Sequence, residues 1–83
     1  MSLYQVQRLF FDIHNDLDLR KNYLDSPESI ARPYDLSDTE RLAILSKDIK
    51  GLYQMGVNPW LLFQFAHMVG IRTDEYLKQI REV

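Results

Sequence analysis

The sequence contains no cysteine, which excludes a disulfide framework and any thiolate metal site. Packing alone must hold the fold. Long apolar runs are missing as well: Arg8, Asp12, Asp16 and Arg20 break up the N-terminal segment. That leaves no signal-peptide core and no stretch of about 20 apolar residues to span a membrane, and the expected location is the cytoplasm by default. An excess of positive charge is lacking too. Ten Lys and Arg against twelve Asp and Glu, with a formal charge of −2, offer no footprint for a phosphate backbone, which argues against nucleic acid. Val and Ile never alternate along a strand-length run, and no Asn-Gly or Asp-Gly hairpin signal occurs, so no sheet is expected.

What is present suits one domain over residues 1–83. An apolar share of 46% beside 27% charged residues lies in the ordinary globular range and argues against disorder. A core this small leaves only about 3–5 kcal/mol of net stability, so burial by a partner would matter to it.

The pattern is helical throughout. Leu3, Val6, Phe10, Ile13, Leu17 and Leu24 follow helical spacing, with Arg20 in the slot between the last two. Asn15 followed by Asp16 and Asp18 reads as a cap with acids in a first turn, which divides the segment into two helices. Asp25-Ser26-Pro27-Glu28 starts one turn, and Pro33 returns the chain to an extended path.

Ser37-x-x-Glu40 is a capping box opening a helix over about 38–55. Its stripe is Leu42, Leu45, Ile49, Leu52 and Tyr53, and Gly56 ends it in a left-handed conformation. Asn58-Pro59 starts the next helix and Gly70 closes it; Thr73 caps a last helix ending near Arg81. The expected fold is all-α, a compact bundle of about five short helices, with Leu42, Leu45, Ile49, Leu52 and Leu61 among its core residues.

Several of these signals recur together. Gln7-Arg8-Leu9-Phe10-Phe11-Asp12-Ile13, Asp25-Ser26-Pro27-Glu28, Leu36-Ser37-x-x-Glu40-Arg41, Asp48-x-x-x-Leu52-Tyr53-x-x-Gly56-Val57-Asn58-Pro59, Gly70-Ile71 and Tyr76 resemble the small α-subunit family of protocatechuate 4,5-dioxygenase, an extradiol ring-opening enzyme, over nearly the whole chain. The resemblance implies a helical subunit packed over a separate large subunit, which supplies two histidines and one carboxylate for ferrous iron. It implies a lid or scaffold role and transfers no catalytic residue. Most of the shared positions are caps and turns, which report a fold more directly than an activity.

The residues themselves agree with a chain that carries no catalytic, cofactor-binding or metal-ligating set. His14, Asp16 and Asp18 have the donor types of an iron or manganese site. Their i, i+2, i+4 spacing points Asp16 away from the other two, and the cap reading accounts for both aspartates. His67, with Gln64 one turn earlier, reads as a surface or core-edge residue rather than a general base. The helix pair around Gly56-Val57-Asn58 has the outline of a helix-turn-helix, but no Lys or Arg lies between Pro59 and Gly70, so it is no recognition helix.

That helix is instead apolar on every side, through Trp60, Leu61, Leu62, Phe63, Phe65, Met68 and Val69, and it must be enclosed. Burial in the domain itself accounts for much of this, and a partner accounts for the rest. Tyr4 and Phe11, seven apart on a face opposite Leu9 and Ile13, and Ile44 with Met55, opposite the main stripe of their helix, lie where an interface places aromatics and methionine. The candidate partner interface is Tyr4, Phe11, Trp60 and Phe63. Two functions follow: a non-catalytic small-subunit-like chain covering a large dioxygenase subunit, or a stand-alone, self-associating or leader-like peptide-binding domain unrelated to ring cleavage.

Overall fold

Seven helices, and among the described residues no strand, make up a computed structural model that describes residues 2–81. Helix α1 is Ser2–Asn15, and its stripe of Val6, Leu9, Phe10 and Ile13 is fully buried because those positions share one face at 3.6 residues per turn. The cap that ends it falls one residue later than the sequence pattern indicates. Asp16, not Asn15, accepts from the amides of Asp18 and Leu19 and opens α2, Leu17–Asp25. Asn15 completes α1 and donates to the Phe11 carbonyl at 2.8 Å. This break turns the stripe, so Leu17 and Leu24 face outward while Tyr23 goes into the core. A short α3, Pro27–Ala31, follows. Beyond it the chain does not run extended at once but turns through Arg32, Pro33 and Tyr34, the Tyr34 amide reaching back to the Ala31 carbonyl, before Ser37, whose capping box with Glu40 opens α4, Asp38–Leu45.

The expected helix over 38–55 is two helices, α4 and α5, the latter Ile49–Gln54. Lys47 adopts a left-handed conformation at φ 61°, its amide reaching back to the Ile44 carbonyl and the Asp48 amide to that of Ala43. This is the Schellman pair of hydrogen bonds. Asp48 then restarts the chain by accepting from the Gly51 amide at 3.0 Å. The same closing pair recurs at Gly56 and Gly70, with φ 96° and 92°. A lysine in the first of the three is what hid it, since a left-handed residue without glycine costs about 1–2 kcal/mol and is seldom expected. The break re-faces α4: Leu42 is 69% exposed and not a core residue, whereas Ile44 is wholly buried and not part of any surface. Ile49 and Leu52 are buried as expected, and Leu45 and Leu61 are half-buried.

Helix α6, Pro59–Met68, is capped by Asn58, and α7 is Thr73–Arg81. Thr73 is the first residue of α7 rather than its cap, and its hydroxyl meets His67 Nε2 at 2.9 Å. Five of the seven helices have seven residues or more; α3 and α5 are shorter, and α5 still places Ile49 and Leu52 in the core. α1 lies against α6, and α5 touches α4, α6 and α7. Phe65 of α6 is the hub: it stacks on Phe10 with centroids 4.3 Å apart and meets the edge of Tyr23. Two long-range hydrogen bonds fix the start of α6, from the Asn58 amide to Gln7 Oε1 at 2.6 Å and from the Tyr76 hydroxyl to the Pro59 carbonyl at 3.2 Å.

Candidate functional site

The turn of α1 that buries Val6, Leu9 and Ile13 sends Tyr4 and Phe11 the other way, and they are 59% and 54% exposed. Along this face they flank a shallow groove shared with Leu61 at the start of α6. Trp60, next to Leu61 in the chain and 54% exposed, extends the surface to the far end of α1, where its indole meets His14. Tyr4 and Phe11 thus line one groove, and Trp60 stands exposed against His14 of the same helix. Phe63 does not join them. It is half-buried, with its ring edge-on to Tyr76 of α7 and tilted against His67.

Simple enclosure accounts for part of the all-round apolar character of α6: Leu62, Phe65 and Ala66 are in the core, and Leu61, Phe63, Met68 and Val69 pack against it. Trp60 is left over. Ile44 and Met55 drop out of the surface, being respectively buried and packed against the core.

The polar lining of the groove is mixed. Arg8 stands 3.9 Å from Asp12, whose carboxylate accepts from the Tyr34 hydroxyl at 2.6 Å. Burial, and after it the hydrogen bond to Asp12 and that carboxylate's charge, raise the Tyr34 hydroxyl to about 12, with Arg8 opposing. It is a neutral donor at physiological pH, and it pins the chain after Pro33 onto α1.

Among the described residues neither histidine stands in a group that could hold a metal ion. Asp16 spends its carboxylate on the start of α2, and among the described residues no three His, Asp or Glu side chains converge as a metal ion requires. The fold does bring His14 and His67 to one cleft between α1, α2 and α6, together with Arg20. Sequence reasoning treated the two histidines separately. The available signal was Arg20 itself, standing where helical spacing called for an apolar side chain.

Fold and surface define a small all-α domain that leaves the aromatic side chains Tyr4, Phe11 and Trp60 exposed. The chain belongs to the family described as aromatic-ring-opening dioxygenase LigAB, LigA subunit, whose model matches residues 6–82. No curated protein and no solved structure matches it. Among the described residues no helix is long and apolar enough to cross a membrane.

Proposed function

We propose that this chain is the non-catalytic small subunit of a two-chain ring-opening dioxygenase and covers a large iron-bearing subunit with the face formed by Tyr4, Phe11 and Trp60. The observation that carries this is the exposure of Tyr4 and Phe11 along the groove they share with Leu61, with Trp60, next to Leu61 in the chain, exposed as well, in a chain of the LigA-subunit family. A domain with so small a core gains by burying them: each contributes about 1.5–3 kcal/mol when fully removed from water, part of which offsets the entropy lost on association.

Ring opening by this class of enzyme uses iron, and this chain's described residues hold no convergent ligand set for it. Its contribution is steric and positional: to exclude water from a partner's cleft and to hold that cleft's walls. The test is complex formation with a large ring-opening subunit from the same organism, measured for wild type and for Phe11→Glu. A complex lost in the variant supports the reading. No complex, or one indifferent to Phe11→Glu, overturns it, and a concentration-dependent dimer of the isolated chain that Phe11→Glu dissolves transfers the face to a second copy.

A further inference from the structure

Arg8 stands in the middle of the face of α1 that Tyr4 and Phe11 share. At 3.6 residues per turn positions 4, 8 and 11 fall on one side of the helix, and all three side chains are exposed. Two shallow grooves run along this side. One holds Tyr4, Phe11 and Leu61 of α6, and the other holds Leu19 of α2 and Ile30 of α3. Arg8 and Asp12 line both, so Arg8 lies between the grooves rather than at an edge. Leu19, Ile30 and Leu61 are only half-buried, and each groove therefore leaves apolar surface open to a neighbour.

The charge at this centre is poorly satisfied. Arg8 Nε is 3.9 Å from Asp12 Oδ2, too far for a hydrogen bond, and the same oxygen accepts from the Tyr34 hydroxyl at 2.6 Å. Among the described residues no other carboxylate lies within ion-pairing distance of Arg8. As a helix device the pair is also the weaker arrangement. A cation four residues before an anion runs against the helix dipole, and with 57% of the Arg8 side chain exposed the attraction is largely screened by solvent. The guanidinium fork is thus left uncommitted between two positions that hold exposed aromatic rings. Arginine beside aromatics is the composition of an interface centre, and a planar fork matches a carboxylate through two parallel hydrogen bonds.

We propose, resting on the reading that this chain covers a large subunit, that Arg8 receives an Asp or Glu carboxylate of that subunit at the centre of the contact. The experiment titrates the full chain into the large subunit from the same organism by calorimetry, for wild type, Arg8→Gln, Arg8→Lys and Phe11→Glu, with circular dichroism to check that each variant is folded. Arg8→Gln is expected to weaken the complex by about tenfold or more, as loss of charge-assisted hydrogen bonds implies. Arg8→Lys keeps the charge but not the fork and should recover only part of that loss. Changing the large subunit's surface Asp and Glu residues one at a time to Asn or Gln should find one whose effect matches that of Arg8→Gln and adds nothing to it in the double variant. A complex weakened by Phe11→Glu and unchanged by Arg8→Gln overturns the Arg8 assignment and spares the partner reading. An Arg8→Gln effect that couples to no acidic residue also overturns the assignment. No complex with any of the four chains overturns both.

Discussion

The Trp60 indole stands edge-on to the His14 imidazole, with ring centroids 4.8 Å apart and planes at 79°, so α1 holds one side of a ring whose other side faces solvent. An aromatic anchor already oriented in the free chain loses little conformational freedom when a partner covers it. Trp60 is the chain's one tryptophan, and its emission reports this surface alone. Addition of the large subunit is expected to shift the emission to the blue and to slow acrylamide quenching. Emission unchanged in a complex that demonstrably forms would move the interface elsewhere.

Lys47 tests the break between α4 and α5 by the sign of one substitution. At a left-handed position Lys47→Gly removes a steric penalty and is expected to stabilise the chain by about 0.5–1 kcal/mol. Were 38–55 one continuous helix, the same change would destabilise by roughly 0.5–1 kcal/mol. Urea denaturation at unchanged slope separates the two, and a lower midpoint would contradict the break.

Tyr23 and Tyr34 are raised from their ordinary 10.0 to about 12, Tyr23 by burial, Tyr34 by burial and then by Asp12. A raised folded value means that the neutral hydroxyl is the form the fold favours. The contribution is therefore complete below about pH 10 and is lost as pH rises through about 12. The thermal midpoint is expected to fall steadily above pH 10, and less steeply in Tyr34→Phe, which also loses about 1 kcal/mol at neutral pH with its hydrogen bond to Asp12. A midpoint flat from pH 8 to pH 11 would contradict this.

Metal content is a separate matter. With Asp16 committed to capping α2 and no convergent ligand set among the described residues, elemental analysis of the purified chain should find far less than one iron per molecule. The isolated chain should leave catechols intact. Stoichiometric iron with ring opening would assign chemistry to His14 and His67 and defeat the non-catalytic reading.

The helix starts at Ser37 and Asn58 and the glycine stops were legible because each is a local device: the Ser37-Glu40 box and the turns at Gly56 and Gly70 are formed by residues within a few positions of one another. What one-dimensional periodicity missed was rotation. A wheel drawn across residues 38–55 assumes unbroken turns, and the left-handed Lys47 swings Leu42 outward and Ile44 inward. Asp16 does the same to Leu17 and Leu24. On α1, with no interruption before Asp16, the prediction that Tyr4 and Phe11 lie opposite Leu9 and Ile13 held. The cleft around Arg20 joins residues of three helices, and no spacing rule spans such distances. Phe63 is half-buried for a similar reason, since only the packing of α7 reveals its edge contact with Tyr76.

The most direct test of the proposed role is the dissociation constant of the complex with the large subunit, measured by sedimentation velocity for wild type, Phe11→Glu and Trp60→Glu. Both substituted side chains are more than half exposed, so the variants should fold as wild type does, and circular dichroism checks that they do. The account predicts a defined complex for wild type and a loss of about 1.5–3 kcal/mol, tenfold or more in affinity, for each variant. Equal affinity for all three chains, or no complex for any of them, would contradict it.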